Sequence, residues 1–184
     1  MSNHYLFTSQ RLGFRNWKKK DLPDFHAMNT DPMVMRFFAG SPSLAQSEAW
    51  IDRMQKMFEE RGYCYFAVNL LETHEFIGFI GLAWQDYPAH FTPCTDIGWR
   101  LIQKAWGQGF ASEGAKRCLE YTQSNLKLTE IKSVAPLINK PSIRVMQKIG
   151  MELQGTFKHP KLKDHPHIEE CALYQINLPQ NNVG

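Results

Sequence analysis

The stretch WGQGFASEGAKRCLEY, Trp106 to Tyr121, follows at once on the strand-like DIGWRLI, Asp96 to Ile102, and decides how the chain is read. Gly107 and Gly109 stand where a strand ends and a helix begins. From there Phe110, Ala111, Ala115, Cys118, Leu119 and Thr122 fall on one side at helical spacing. Two readings compete at the glycines. One is a tight turn. The other is an anion bed, because a helix N-terminus presents unsatisfied N–H groups and partial positive charge. Gln108, Gly109, Phe110 and Ala111 would supply those donors. Glycine spacing alone leaves both readings open.

Working outward, RLGFRNW (Arg11–Trp17) alternates as a strand. SLAQSEAWIDRMQKMFEERG opens with Ser43 and Gln46 in capping-box spacing, carries Leu44, Ile51, Met54 and Phe58 on one face, and closes at Gly62. YCYFAVNL and EFIGFIGLAW read as a hairpin across the polar LETHE. Beyond the glycine helix come the strand TEIKSVA, the helix KPSIRVMQKI capped by Asn139 and closed by Gly150, and the strands MELQGTF and EECALYQI. The order implies a mixed α/β fold, a central, mostly antiparallel twisted sheet with helices on both faces. A single domain over 1–184 is expected, its core at about 8–178 and a polar tail, PQNNVG, at 179–184.

Composition narrows the function classes. With 184 residues there is enough chain to bury a real core, and 43% hydrophobic with 21% charged is ordinary for a globular protein. A net charge of +3 from scattered basic residues argues against a nucleic-acid partner; Lys18–Lys20 is followed at once by Asp21 and reads as a solvated loop. Cys64, Cys94, Cys118 and Cys171 form no C-x-x-C pair, so reduced core thiols in a cytoplasmic protein are expected. No signal-peptide pattern opens the chain, and the apolar FIGFIGLAW is too short to span a bilayer, so no membrane partner is expected. His159, His165 and His167 lie in HPKLKDHPH, which reads as a mobile loop with no metal site.

Three phosphate-binding patterns can be tried on the glycines. A Walker loop needs Lys-Ser or Lys-Thr after the second glycine, and neither follows. A dinucleotide fingerprint needs a third glycine where Ser112 stands, and an acid after the next strand, where TEIKSVAPLIN has none. The third pattern accounts for more. DIGWRLIQKAWGQGFASEGAK followed by INKPSIRVMQKIGME resembles the GNAT superfamily of acetyl-CoA-dependent N-acetyltransferases. The likeness is greatest to the branch containing the ribosomal-protein N-terminal acetyltransferases and runs from about Thr8 to Leu178. In the superfamily's [QR]-x-x-G-x-[GA] loop, Trp106 takes the first place, a departure shared with the W-G-x-G-[YF]-A form of that branch.

The resemblance implies acetyl-CoA as co-substrate and no metal, with the pyrophosphate on Gly107 to Ala111. It implies that the strand ahead of the loop pairs with the pantetheine through Leu101 and Ile102, and that the Leu101 N–H faces the thioester oxygen as oxyanion donor. Asp96 stands where the family often has the glutamate of E-I-G. The shorter side chain favours a base working through water, and the alternative is a strand-end Asp bonded to a neighbouring loop. Asn139 and Ser142 match an N-x-x-S in which the amide bonds pantetheine and the hydroxyl lies near the sulfur; Asn139 is also a plain helix cap. Lys104, Lys140 and Arg144 are candidates for the 3′-phosphate, with surface solvation as the alternative. Phe38, Trp84, Trp99 and Tyr174 are candidates to wall an amine pocket, or core packing.

The expected activity is acetyl transfer to a primary amine by direct attack in a ternary complex. The acceptor is a protein N-terminus or a small amine such as an amino acid, polyamine or antibiotic, and the protein is a monomer or homodimer. A catalytically silent acyl-CoA-binding sensor is the alternative that Asp96 keeps open.

Overall fold

The computed structural model describes residues 5–179, so the tail expected at 179–184 lies almost wholly outside the described residues. Eight strands form one sheet in the order β1-β2-β3-β4-β5-β6-β8-β7. They are β1 (Phe7–Thr8), β2 (Leu12–Arg15), β3 (Tyr65–Leu70), β4 (Phe76–Gln85), β5 (Cys94–Leu101), β6 (Glu130–Pro136), β7 (Glu152–Lys158) and β8 (Glu170–Asn177). Every neighbouring pair is antiparallel except β5 and β6. The helices are α1 (Leu22–Thr30), α2 (Pro32–Met35), α3 (Leu44–Arg61), α4 (Phe110–Asn125), α5 (Lys140–Lys148) and α6 (Pro166–Glu169).

Alternation along β4 shows how the two faces are covered. Phe79 packs against Phe25 of α1 and Trp50 of α3. Its neighbour Ile80 points the other way, with Cδ1 against Gly114 of α4. The mixed fold with helices on both faces is therefore as the strand and helix patterns imply. The capping box of α3 is formed as read, with Ser43 Oγ accepting from the Gln46 N–H at 3.2 Å and Gln46 Oε1 from the Ser43 N–H at 2.7 Å. Gly62 closes the helix in the left-handed conformation, φ +74°. One residue departs from the expected face: Leu44 is 54% exposed, and the buried side starts a turn later, at Ser47, Ile51 and Met54. Helical spacing puts Leu44 in line with them, but burial also needs a surface beneath the first turn.

Elements not legible in the sequence are short. β1 has two residues, and α2 and α6 have four each. In α1 the buried side is Phe25, Met28 and the polar Asn29, too sparse an apolar repeat to read. HPKLKDHPH, expected as a loop, carries short helical turns. It holds a 3-10 turn at Pro160–Leu162 and α6, and the His159 ring packs on Tyr87 at 4.5 Å. The Lys18–Lys20 run is exposed, while Asp21 turns inward onto Arg15 at 2.7 Å.

The feature that positions the site is the junction of β5 and β6. These parallel strands share one register pair, Asp96 with Lys132, and beyond it they separate. Ser133 Oγ spans the gap by donating to the Ile97 carbonyl at 2.8 Å.

Ser43→Ala removes the Oγ acceptor for the Gln46 N–H and keeps the backbone N–H that donates to Gln46 Oε1, so it should lower unfolding free energy by about 1 kcal/mol, read by urea denaturation. An unchanged midpoint would mean that packing of α3, and not its cap, sets where the helix begins.

Candidate active site

Two connected hollows open from the β5–β6 gap, sharing Phe38, Trp99, Arg100, Asn139 and Ser142. The smaller, about 150 Å³, reaches Tyr65, Phe79 and Asp96 on one side and Ser133 to Pro136 on the other. The larger, about 430 Å³, runs along Leu101 and the glycine loop to α5.

The glycine loop has the conformation an anion site needs. Gly107 and Gly109 sit at φ +74° and +82°, where a side chain is strained, and Gly109 is the N-cap of α4. No side chain caps that helix, and its first internal bond runs from the Glu113 N–H to the Gly109 carbonyl at 3.0 Å. The N–H groups of Phe110, Ala111 and Ser112 are therefore left over at the positive end of the helix dipole. Arg11 braces the loop from outside. It donates to the Gln108 carbonyl at 3.0 Å, pairs with Glu113 at 2.7 Å and lies over the Phe110 ring.

On β5 the backbone alternates between β4 and the gap. The Ile102 N–H is spent on the Ile77 carbonyl of the β4 side at 3.0 Å, so the Leu101 N–H points toward the gap. The Leu101 carbonyl, facing the same way, accepts from Trp106 Nε1 at 2.8 Å. Trp106, the residue that departs from the common loop pattern, thus fastens the strand end and leaves the Leu101 N–H facing the cleft. Ile102, expected beside Leu101, is turned away by its own bond.

Asp96 is held by two donors. Tyr65 Oη donates to its Oδ1 at 2.6 Å, and Gln85 Nε2 to its Oδ2 at 3.2 Å. The tyrosine reaches it because Gly98 lies between: a Cβ there would stand 3.1 Å from the Tyr65 ring. Desolvation raises the carboxyl to about 6, although the Tyr65, Gln85 and Ala83 hydrogen bonds and the Lys161 charge oppose the rise. Burial, and then the Asp96 charge, push the Tyr65 phenol well above its ordinary value, so it stays protonated as a donor.

At the head of α5, Asn139 Oδ1 accepts from the Ser142 N–H at 3.2 Å, a cap that occupies only the oxygen of the amide. Ser142 Oγ accepts from Trp99 Nε1 at 3.2 Å across the cleft, which leaves the serine proton to donate elsewhere.

The structure brings together Asp96, Leu101, Gly107, Gly109, Phe110, Ala111, Asn139, Ser142, Arg144, Phe38 and Trp99 around these hollows. Gln108 is in the loop, with its side chain folded back onto the Lys104 carbonyl. Four other expected residues lie elsewhere. Lys104 is exposed and paired with Glu75. Lys140 is exposed and outside the lining. Trp84 stacks under Arg61 at 4.2 Å, and Tyr174 is buried on β8, with its hydroxyl accepting from Gln147. For Trp84 and Tyr174, strand alternation and pairing decide which side of the sheet the residue serves; Lys104, in the 3-10 turn Gln103–Ala105, and Lys140, first in α5, are near the groove in sequence without lining it. Tyr65, Gln85, Phe79 and Arg100 come from three strands and leave no local pattern; Arg36 and Lys148 join Arg144 along the groove in the same way.

Residues 11–152 match the acetyltransferase (GNAT) domain family. The chain belongs to the GNAT acetyltransferase family. It is 30% identical over 152 residues to YnaD, an uncharacterized N-acetyltransferase of Bacillus subtilis, covering 82% of this chain and 85% of that one. A GNAT-family acetyltransferase structure from Bacillus anthracis matches with a TM-score of 0.74 at 26% identity, over 92% of this chain and 96% of that one. RimL, a ribosomal L7/L12 alpha-N-protein acetyltransferase solved with coenzyme A, gives a TM-score of 0.77 at 14% identity, over 95% and 98%, a likeness of fold. As a GNAT enzyme the protein is an acetyl-CoA-dependent acyltransferase. The uncapped start of α4 and the groove beside Leu101 fit that co-substrate. Among the described residues no helix is long and apolar enough to cross a membrane.

The raised Asp96 carboxyl has a signed consequence. The folded state prefers the neutral acid, so its contribution to stability is full below the ordinary value near 3.8 and is lost as pH rises through about 6. Asp96→Asn should flatten that part of the stability–pH profile. Tyr65→Phe removes a donor to the carboxylate and should move the Asp96 midpoint above about 6 in a carbon NMR titration. A lower midpoint would show that the phenol does not stabilise the charged form.

Proposed function

We propose that this GNAT enzyme transfers an acetyl group from acetyl-CoA to a primary amine by direct attack in a ternary complex. The observation that supports it most is the opening between β5 and β6, which gathers an uncapped helix N-terminus, the Leu101 N–H and Asp96 along one cleft. The helix start and the cations Arg36, Arg144 and Lys148 take the phosphates of the co-substrate, and the amide nitrogen of Asn139 takes a pantetheine carbonyl.

Acetyl transfer has to deprotonate an ammonium, hold an oxyanion and protonate a departing thiolate. Asp96, raised to about 6, is a stronger base than a free carboxylate and receives the ammonium proton directly or through one water. The Leu101 N–H faces the developing oxyanion. Ser142, its oxygen already held by Trp99, donates its proton toward the sulfur. None of the four cysteines lines the hollows, and burial pushes the Cys94 thiol up to about 11 and Cys171 up to about 12, which argues against an acylated cysteine.

The direct test is thiol release from acetyl-CoA over a panel of amines and short peptides. Turnover supports the transferase reading; coenzyme binding with no turnover on any acceptor would favour a sensor. On a working acceptor, Asp96→Asn should lower kcat/KM by about 10²–10⁴ with coenzyme affinity kept, and recover partly at higher pH, where more amine is neutral. A loss within about threefold would remove Asp96 as the base. Gly109→Trp should abolish coenzyme binding by calorimetry while the fold persists, since a side chain there blocks the approach to the N–H groups.

A further inference from the structure

Arg100 stands on the same face of β5 as Asp96 and Gly98, opposite Phe79 of β4 and toward α1. It lines both hollows. Its guanidinium lies 3.8 Å from the Phe38 ring centre and 5.4 Å from that of Phe79. Among the described residues its side chain makes one hydrogen bond, from Nη1 to Oδ1 of the buried Asn29 at 2.6 Å. No carboxylate among them lies within ion-pair distance of it, and Nε, shut off from solvent, has no acceptor. Asp96, the acid on the same face, has one donor on each oxygen, Tyr65 and Gln85, and does not reach Arg100.

A cation in such a place is costly without a counter-charge, and burial does pull its pKa down, to about 10. It nevertheless remains charged at neutral pH. The geometry of the unused donors is specific. With Nη1 committed to Asn29, the side-on edge formed by Nε and Nη2 is the part left over, and that edge matches the two oxygens of a planar carboxylate. Phe38 and Phe79 flank it with apolar surface, which strengthens a charge pair by excluding water. The cation and the proposed base therefore lie on one face of one strand, four residues apart, and both line the smaller hollow.

We propose that the acceptor is a small primary amine that also carries a carboxylate, an amino-acid-like molecule, with its amine toward Asp96 and its carboxylate on the Nε/Nη2 edge of Arg100. This rests on the transferase reading above and specifies its substrate. Arg100 thereby discriminates between acceptors, and the carboxylate supplies the charge that the protein leaves out.

The experiment compares matched acceptors: amino acids of increasing amine-to-carboxylate spacing, each against its neutral carboxamide. For the best acid, the carboxamide should be poorer by about tenfold or more in kcat/KM, carried mainly by KM. Arg100→Gln should shrink that ratio to within about twofold, and Arg100→Lys, which keeps the charge but not the edge, should restore it only in part. Should both variants fail to fold, the wild-type enzyme gives an independent reading. Its Arg100 Nε–H signal in a nitrogen–proton NMR spectrum should shift on adding the acid and not on adding the carboxamide. Carboxamides or polyamines turned over as well as the acids would overturn the carboxylate assignment and leave the transferase reading intact. Absence of turnover on every amine, with no Nε–H shift, would sink both.

Discussion

The whole site hangs on a sheet that stops being a sheet. β5 and β6 meet at one residue pair, Asp96 with Lys132, and then part while β4 goes on pairing with β5 as far as Leu101. Backbone groups on the far edge of β5 lose their ladder there, and buried backbone polar groups must find partners elsewhere. Ser133 takes the Ile97 carbonyl and Trp106 the Leu101 carbonyl. The Leu101 N–H and, two residues earlier by the same alternation, the Trp99 N–H and carbonyl remain facing the gap, in keeping with a ligand that adds itself to the open edge.

Two charges on one face of β5 carry the electrostatics. Desolvation raises Asp96 and lowers Arg100, so both are held where the charged form is disfavoured. The buried Arg15–Asp21 pair, with Arg15 at the end of β2, shows the ordinary solution. Its two guanidinium contacts measure 2.7 and 2.9 Å, Asn69 takes Nε, and the Lys18 N–H donates to the same carboxylate. Nothing like that closure surrounds Arg100. The contrast separates a structural ion pair from a cation with donors in reserve.

The helices α1 and α2 are tied to both parts of the cleft. Asn29 of α1 holds Arg100. Asp31 caps α2 through the Met33 N–H at 2.8 Å and also accepts from Gln103, ahead of the glycine loop, at 3.0 and 3.1 Å. Arg36 lies over Trp106, whose indole fixes Leu101. A shift of α1 and α2 would therefore be felt at the Leu101 backbone and at the glycine loop together.

Local chemistry was enough to read much of this protein from its residues. Period-two and period-3.6 patterns, the Ser43–Gln46 box and the glycines before α4 each act within a few residues, so the larger strands and helices could be read directly, and the family followed from the resemblance of the glycine loop and the Asn139 segment. Asp96, Asn139 and Ser142 were singled out by the same resemblance, and the fold lines all three along one hollow. Leu44, Trp84 and Tyr174 went wrong for a single reason: whether a residue meets the core, the cleft or solvent depends on what packs against it. Tyr65 from β3, Gln85 from β4 and Asp96 from β5 become one hydrogen-bonded group only after three strands align. The reserve donors of Arg100 exist only because no acid from elsewhere in the fold arrives to take them. Sequence sets the chemistry available at each position, whereas tertiary structure decides which groups share a desolvated space, and desolvation gives them their working charge.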